Sequence, residues 1–209
     1  MAGIFITIEG PDGSGKTTQI TLLRKMFEQM GLEVVQTREP GGTPIADEIR
    51  SLILDPVHRE MTARAEALLY MASRAQHTAE LIRPALERGA VVISDRYTDS
   101  TLVYQGVARG LPMESLVWLN RFATEDLVPD LTLLLDGATD RLVQRVAHRG
   151  NKDRLDCEGK EFHRRVREGF LALAAQTPER FCVIDADRTI ETVQADIESC
   201  VKDFLQKRG

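Results

Sequence analysis

The chain has 209 residues, 43% of them hydrophobic, and a formal net charge of −5 from 27 basic and 32 acidic side chains. This is the size of one ordinary domain, residues 1–209, with room for a small mobile insert. The acidic net charge excludes the basic surface over the whole protein that nucleic acid partners need. No apolar run reaches the roughly 18 residues of a membrane span and no basic leader precedes the first predicted strand, so we expect no membrane partner and a cytoplasmic location.

Short apolar runs alternate with longer amphipathic segments along the chain, a pattern typical of helices that cover a parallel sheet. The predicted strands are residues 4–9, 33–38, 90–95, 131–136 and 181–185. The predicted helices are residues 15–30, 44–54, 63–88, 113–125, 140–149, 160–176 and 190–207, and a further helix follows residue 96. We therefore expect an α/β fold with a five-stranded parallel sheet whose ligands bind at the carboxyl ends of the strands.

The first predicted strand leads into GPDGSGKT, which fits the pattern G-x-x-x-x-G-K-[ST] at Gly10, Gly15, Lys16 and Thr17. In this pattern backbone N–H groups and the helix N-terminus hold phosphates, the lysine reaches the β- and γ-phosphates, and the hydroxyl can bind Mg²⁺. The other residues expected to contact ATP here are Pro11, Asp12, Gly13, Ser14 and Thr18. The alternative is a glycine-rich turn without a ligand, but its position between a strand and a helix favours a nucleoside triphosphate.

The third predicted strand ends at Asp95, and Arg96 follows at once. Asp95 is placed to position Mg²⁺, although an aspartate here can also cap a helix. The positive charge of Arg96 beside Asp95 suits the binding of a second phosphate, in addition to those held by the glycine loop. The helix that follows presents a polar row at helical spacing. Its members are Ser100, Thr101, Tyr104 and Gln105. Since this row begins in the mouth of the sheet, nucleotide recognition is favoured over a solvated polar face.

The three cysteines are Cys157, Cys182 and Cys200, and they are far apart in the sequence. This spacing predicts neither a disulfide framework nor a zinc motif, and it fits a reducing compartment.

Four segments stand in the order and spacing of thymidylate kinases: EGPDGSGKTT, TREPGGT, DRYTDSTLVYQG and RGNKDRLD. The chain resembles this family over essentially its whole length. The first segment is shared by many families, but the second and third together are specific. The resemblance implies the P-loop nucleoside monophosphate kinase fold with a small mobile lid. It also implies direct in-line phosphorylation of dTMP to dTDP by ATP, in dTTP synthesis.

The resemblance also implies an acceptor site for dTMP. In it Asp12 meets the 3′-hydroxyl, Arg96 binds the phosphate, and Tyr104 crowds the 2′ position and thereby favours deoxyribose. The other implied contacts with dTMP are Arg38, Glu39, Pro40, Tyr70, Arg74, Ser100, Thr101 and Gln105. Without the resemblance, an aromatic residue at helical spacing such as Tyr70 would be interpreted as plain core, and the residues after Glu39 as a turn.

The lid is implied at about residues 146–157. Gly13 stands where other members of the family carry an arginine in the phosphate loop, so the chain resembles the common bacterial type that supplies arginines from the lid. Arg149 and Arg154 are then the candidates for phosphoryl transfer, and Arg145 packs against adenine. The alternative for this basic segment is a solvated helix end that favours the helix dipole.

The residues expected to act in transfer are Lys16, Asp95, Arg96, Arg149 and Arg154, with Thr17 and Asp95 holding Mg²⁺ directly or through water. The resemblance further implies a homodimer, for which the helices at 63–88 and 113–125 offer apolar positions, although a helix that covers a sheet needs the same positions. Two other functions stay open: a kinase for another (deoxy)nucleoside monophosphate, and a nucleotide-binding switch module. Against the switch, Asn151-Lys152-Asp153 does not provide a guanine-reading N-K-x-D with the right spacing.

Overall fold

Five parallel strands form one sheet in the computed structural model. The structure describes residues 3–147 and 153–208, of which residues 146 and 147 are described by their backbone alone. The strands are β1 (Ile4–Glu9), β2 (Val34–Arg38), β3 (Val91–Asp95), β4 (Leu131–Asp136) and β5 (Phe181–Asp185). Their order in the sheet is β2-β3-β1-β4-β5. The expected α/β fold is confirmed, and only β2 and β3 begin one residue later than predicted.

The order of the strands creates a cleft at the carboxyl ends of β1, β2 and β3. The chain leaves β1 for β2 and β3 on one side, then crosses to β4 and β5 on the other, and ligands of open sheets bind where the order reverses in this way. The strand register sets Asp95 opposite both Ile8 of β1 and Arg38 of β2. Because these three strands end together, the turns that follow them share one edge of the sheet.

Helices cover both faces of the sheet. They are α1 (Lys16–Gln29), α2 (Pro44–Leu54), α3 (Ala63–His77), α4 (Arg83–Glu87), α5 (Thr98–Thr101), α6 (Met113–Thr124), α7 (Thr139–Ala147), α8 (Lys160–Gln176) and α9 (Ile190–Arg208). The predicted helix at 63–88 contains a π-helical turn, Thr78–Ile82, between α3 and α4, and a second π-helical segment, Leu102–Ala108, follows α5. No helix within residues 3–147 and 153–208 is long and apolar enough to cross a membrane.

The core lies on the two faces of the sheet, as expected for parallel strands covered on both sides. On one face Leu23 of α1 and Ile197 of α9 are fully buried against strand residues such as Leu133. On the other face Tyr104 and Phe170 of α8 pack edge to face, with ring centroids 6.2 Å apart. Tyr104 therefore contributes its ring to the core, while its hydroxyl remains at the sheet edge.

Cys182 and Cys200 form a disulfide, which the spacing of the cysteines in the sequence did not predict. Cys182 lies on β5 and Cys200 on α9, the helix that folds back over β5, and their Cα atoms are 6.5 Å apart. Their separation of 18 positions gave no sign of this contact in the sequence, because the contact depends on how α9 packs. Cys157 is exposed and unpaired.

Candidate active site

The phosphate loop runs from the end of β1 to the start of α1. Gly10 and Gly13 both have positive φ, +139° and +84°, a region that other residues rarely adopt. A Cβ atom at Gly10 would also lie 2.4 Å from the carbonyl oxygen of Leu135, and one at Gly13 would lie 2.7 Å from that of Leu142. The glycines thus let the loop fold closely against its neighbours, and a side chain as large as arginine does not fit at position 13 unless α7 shifts.

Lys16 is buried at the first position of α1 and points back into the loop. Its Nζ donates hydrogen bonds to the carbonyl oxygens of Gly10 at 3.0 Å and Pro11 at 3.1 Å. Burial, followed by the charge of Arg96, lowers the pKa of Lys16 from its ordinary value. The ammonium group therefore lies in the loop itself, at the positive end of the helix, where an anion is favoured.

A cleft of about 280 Å³ opens beside this loop. The sequence-predicted residues that line it are Asp12, Gly13, Gly15, Lys16, Thr17, Arg38, Glu39, Pro40, Tyr70, Asp95, Arg96, Ser100, Thr101, Tyr104 and Gln105. It is also lined by Arg50, Leu54, Asp153, Leu155 and Asp156. The predicted residues that do not line it, within the described part of the chain, are Gly10, Pro11, Ser14, Thr18, Arg74, Arg145 and Arg154. One cleft thus joins the phosphate loop to most of the predicted acceptor residues.

Arg96 and Asp12 meet in the middle of this cleft. The Arg96 guanidinium donates to Asp12 Oδ1 at 2.7 Å, to the Gly10 carbonyl at 3.0 Å and to Ser100 Oγ at 3.3 Å. The Tyr104 hydroxyl donates to Asp12 Oδ2 at 3.1 Å. Burial alone would raise the pKa of Asp12, but the charges of Arg96 and Lys16 outweigh it and hold that pKa well below its usual range. Asp12 is therefore an ionised hydrogen-bond acceptor at neutral pH.

Glu9 supports the backbone around Arg96, a role that was not predicted from the sequence. Arg96 has φ of +73°, an uncommon conformation for a residue with a side chain. Glu9 is fully buried, and its two oxygens accept from the Tyr97 amide at 2.7 Å and from Ser100 Oγ at 2.6 Å. Burial, with a contribution from Asp99, raises the pKa of Glu9 to about 7. The signal that could have revealed this role is the acid at the end of β1, directly before the glycine loop.

Asp95 and Thr17 provide oxygens on the wall of the cleft that fit a hard cation. Asp95 Oδ1 is buried and has no hydrogen-bond partner among the described residues, which is uncommon for a carboxylate oxygen. Thr17 lies in the exposed first turn of α1 and lines the same cleft. Within residues 3–147 and 153–208 no group of three acidic, histidine or cysteine side chains could hold a metal. An ion here would depend on phosphates and water for its other ligands, as Mg²⁺ commonly does.

The turn after β2 brings two further arginines to the cleft. Arg38 donates to Asp47 at 2.9 Å and is about half exposed. Arg50, on α2, donates to the carbonyl oxygen of Pro40 at 2.7 Å. Arg38 was predicted here from the sequence, whereas Arg50 was not. Arg50 reaches the cleft because α2 turns back over the segment that precedes it, which no local pattern shows.

Comparisons with known proteins identify the family of the chain. A family model described as thymidylate kinase matches residues 8–197. A thymidylate kinase of Exiguobacterium sp. is 47% identical over 209 residues, which is 100% of this chain and 99% of that protein. One of Pelotomaculum thermopropionicum is 50% identical over 206 residues, covering 98% of this chain and 95% of that protein. The chain belongs to the thymidylate kinase family.

A solved structure supports the same assignment. The crystal structure of the thymidylate kinase from Ehrlichia chaffeensis is 32% identical, with a TM-score of 0.79 over 97% of this chain and 99% of that one. The predicted fold of P-loop nucleoside monophosphate kinases is thereby confirmed, and so is the expected class of enzyme. The chain is a kinase, and the phosphorylation of dTMP to dTDP is the reaction of its family.

Arg74, which is expected from the sequence to contact the base, does not line the cleft. It is fully buried, and Nε donates to Glu39 Oε2 at 2.7 Å. Its terminal nitrogens donate to Thr101 Oγ1 at 2.8 Å, to Asn120 Oδ1 at 2.6 Å and to the Tyr97 carbonyl at 2.9 Å. The buried carboxylate of Glu39 explains this placement, since it needs a cation nearby. Arg74 therefore fixes residues that line the cleft.

The three arginines predicted in or beside the lid differ in position. Arg145 of α7 donates to the Gly13 carbonyl at 3.3 Å and so lies beside the phosphate loop. Arg149 is outside the described residues. Arg154 is buried away from the loop, where it donates to Glu66 Oε2 at 2.5 Å and to the Ile53 carbonyl at 2.9 Å. In this arrangement Arg154 does not line the cleft, and its guanidinium pairs with the buried Glu66 carboxylate.

Proposed function

We propose that this thymidylate kinase transfers the γ-phosphoryl group of ATP directly and in line to the 5′-phosphate of dTMP, without a covalent enzyme intermediate. One observation carries this proposal: a single cleft is lined both by the phosphate loop and by Arg96, Tyr104 and Gln105. Direct transfer requires the donor and the acceptor to be held together in reacting geometry, and catalysis then depends on positioning and charge neutralisation.

The donor phosphates are proposed to lie along the loop from Gly10 to Thr18. Backbone N–H groups and the start of α1 favour negative charge there, and Lys16 already lies among the loop carbonyls. When phosphate oxygens are present, they are stronger acceptors for the ammonium than carbonyl oxygens are, because they are charged. Arg145 is proposed to pack against the adenine ring, and its hydrogen bond to the Gly13 carbonyl supports this role.

Magnesium is proposed to bind with ATP at Thr17 and Asp95. The unpartnered Oδ1 of Asp95 supports this site. When bound there, the ion neutralises charge on the β- and γ-phosphates. Thr17 and Asp95 orient the site through their oxygens, directly or through water.

The acceptor dTMP is proposed to lie across Arg96 and Asp12. The guanidinium of Arg96 offers the phosphate a bidentate contact, and the ionised Asp12 can accept from the 3′-hydroxyl. The Tyr104 hydroxyl, which donates to Asp12, is proposed to crowd a 2′-hydroxyl and so to favour deoxyribose. The remaining acceptor contacts are proposed for Arg38, Glu39, Pro40, Tyr70, Ser100, Thr101 and Gln105, which line the same cleft.

A lid at about residues 146–157 is proposed to close over the phosphates, within one domain that spans residues 1–209. The basic residues Arg149 and Arg154 would meet the charge that spreads over the transferring group. For Arg154 this requires that its ion pair with Glu66 opens on closure. The expected location in the cytoplasm remains a prediction.

A coupled assay of ADP release tests the reaction, with dTMP, dUMP, dCMP, dGMP and thymidine as acceptors. We expect ADP release that depends on the acceptor and is fastest with dTMP. Preference for another monophosphate would make the protein a kinase of different specificity. ADP release at the same rate with no acceptor would instead indicate the nucleotide-binding switch.

We propose further that the protein is a homodimer through an apolar surface on α6 and α3. Trp118 and Phe122 stack with ring centroids 5.5 Å apart and are 62% and 73% exposed. Leu68 on the neighbouring α3 is also exposed. Stacked aromatic side chains held this far out of the core are typical of an interaction surface. A second copy of the chain is the proposed partner.

Sedimentation of the full chain tests this dimer. The double variant Trp118→Asp/Phe122→Asp should sediment as a monomer, whereas Val57→Asp, which changes an exposed apolar residue elsewhere, should remain dimeric. A monomeric wild-type protein, or a dimeric double variant, would refute the proposed interface.

A further inference from the structure

Glu66 of α3 is a buried carboxylate that binds one residue of the cleft wall and two arginines. Its Oε1 accepts from Gln105 Nε2 at 2.8 Å and from Arg109 Nε at 3.3 Å. Its Oε2 accepts from the terminal nitrogens of Arg109 at 3.2 Å and Arg154 at 2.5 Å. Gln105 lines the cleft, whereas Glu66 lies behind it. Glu66 is thus a support for a residue that faces the acceptor.

The surroundings of Glu66 keep it ionised. Burial would raise the pKa of its carboxyl, but the hydrogen bond from Gln105 and the charges of Arg109 and Arg154 outweigh burial and lower that pKa. An ionised carboxylate has no proton to donate and can only accept hydrogen bonds. Every group that contacts Glu66 must therefore present a donor to it.

This requirement fixes the orientation of the Gln105 amide. The side-chain amide carries a donor group on one end and an acceptor oxygen on the other. Since the NH₂ group must face Glu66, the oxygen faces away from it. Among the described residues Gln105 Oε1 accepts no hydrogen bond, and it is not one of the enclosed atoms without a partner. It therefore remains a free acceptor on the cleft wall.

We propose that Glu66 is a specificity-determining positioning residue, which holds Gln105 so that its carbonyl oxygen meets the N3–H of a pyrimidine base. Thymine and uracil carry a hydrogen on N3, whereas N3 of cytosine is an acceptor and would face the carbonyl oxygen without a proton between them. Leaving two acceptors in contact in a buried site is costly, so cytosine is disfavoured. This inference rests on the proposed function, because it places the base of the acceptor against Gln105.

The variant Glu66→Gln tests this role through substrate selectivity. A neutral amide at position 66 can donate or accept, so Gln105 becomes free to turn by about 180° and offer its NH₂ group to the base. We expect the ratio of kcat/KM for dTMP to that for dCMP to fall by roughly tenfold or more, which is the effect expected when one discriminating hydrogen bond is lost. The ratio of dTMP to dUMP should stay constant, since both bases carry N3–H. An unchanged ratio of dTMP to dCMP in the folded variant would overturn the proposal.

Glu158→Gln is the matched control. Glu158 pairs with Arg109 at 2.6 Å but does not contact Gln105, so this variant perturbs the same cluster of charges without releasing the amide. Its selectivity should equal that of the wild type. A fall in selectivity as large as in Glu66→Gln would show that the cluster acts only through general packing, against the proposal.

The background Gln105→Leu tests whether Glu66 acts through Gln105. Adding Glu66→Gln to Gln105→Leu should leave the ratio of dTMP to dCMP as it is in Gln105→Leu alone. A further change in the double variant would mean that Glu66 acts by another route, which would overturn the proposal.

A measurement on the wild-type protein covers the case in which Glu66→Gln does not fold. In ¹⁵N-labelled protein, the side-chain amide protons of Gln105 should exchange with water much more slowly than those of the exposed Gln29. Equal exchange would contradict the Glu66 contact. If instead the wild type shows slow exchange but does not phosphorylate dTMP, the proposed function fails while the amide geometry stands, so the two failures are distinguishable.

Discussion

Arg96 and Asp12 form an ion pair, with the guanidinium nitrogen and the carboxylate oxygen 2.7 Å apart, across the edge shared by β3 and β1. The two residues are proposed to bind opposite ends of one ligand, the phosphate and the 3′-hydroxyl of dTMP. In this proposal the acceptor replaces a contact that the protein makes with itself. Before dTMP binds, the ion pair neutralises both side chains, so that neither charge is left desolvated and unpaired in the cleft.

Replacing Arg96 with alanine should remove the phosphate contact and leave Asp12 with one cationic neighbour fewer. We expect kcat/KM for dTMP to fall on the order of a thousandfold, about 4 kcal/mol, because a charge-assisted bidentate contact and the positioning it provides are both lost. Arg96→Lys should recover only part of this loss, since an ammonium cannot match the planar fork. Steady-state kinetics with Arg164→Ala, an exposed arginine, as the control measure the effect. A loss below tenfold in Arg96→Ala would contradict the assignment.

Glu9 should give the protein a characteristic dependence of stability on pH. Its pKa is about 7 in the folded chain against 4.5 ordinarily, so the folded state holds this proton when the unfolded chain has lost it. The Glu9 contribution to stability is therefore fully present below pH 4.5 and is lost as the pH rises to about 7. Its size is on the order of 3 kcal/mol at most.

The free energy of unfolding of Glu9→Gln, measured with denaturant at pH 5 and pH 8, tests this dependence. The decrease between the two values should be smaller in Glu9→Gln than in the wild type. Glu28→Gln, a substitution of an exposed acid, should keep the wild-type decrease. Equal decreases in wild type and Glu9→Gln would mean that Glu9 titrates at its ordinary value in the folded protein.

Features that depend on local pattern could be predicted from the sequence. The strands follow from apolar runs that need burial on both faces, and the phosphate loop follows from glycines whose φ values other residues rarely adopt. Both kinds of signal lie within a few neighbouring residues. For this reason the sequence alone is enough to place Lys16, Asp95 and Arg96 at the edge of the sheet.

The partners of long charged side chains could not be predicted in this way. Arg74 and Arg154 were expected at the substrates, yet each pairs with a buried carboxylate, Glu39 and Glu66 respectively. These partners are 35 and 88 positions away in the chain, so the pairing depends on how distant segments pack together. An arginine looks the same in a sequence whether it binds substrate or protein. The disulfide between β5 and α9 was missed for the same reason.

Arg74 should therefore matter mainly for stability. Arg74→Met removes the cation that pairs with the buried Glu39 carboxylate and the N–H group that donates to Thr101 Oγ1 and Asn120 Oδ1. Breaking a buried ion pair in this way costs about 3 to 5 kcal/mol. Arg164→Met, on the exposed surface, should change stability by no more than about 0.5 kcal/mol. Unfolding in denaturant gives both values. If Arg74→Met keeps wild-type stability and loses only affinity for dTMP, Arg74 contacts the base directly after all.

The two lid arginines should differ in their effect on stability: Arg149 acts on phosphoryl transfer, whereas Arg154 also stabilises the fold. Arg149→Ala should lower kcat on the order of a thousandfold, about 4 kcal/mol, with a weaker effect on dTMP affinity, because its charge is needed chiefly when negative charge spreads over the transferring group. Arg154→Ala should in addition lower the free energy of unfolding by roughly 2 to 4 kcal/mol, since the buried Glu66 loses a cation.

Single-turnover kinetics and denaturant unfolding of both variants distinguish these effects. Lys160→Ala, an exposed cation that pairs with Asp140 near the end of the lid, is the control and should change neither quantity appreciably. A kcat loss in Arg154→Ala as large as in Arg149→Ala would show that the ion pair with Glu66 opens during each turnover and that Arg154 reaches the phosphates. Near-normal kcat in both variants would remove the lid from the transfer step, and the charge on the transferring group would then be met by Lys16 and Arg96 alone among the residues proposed here.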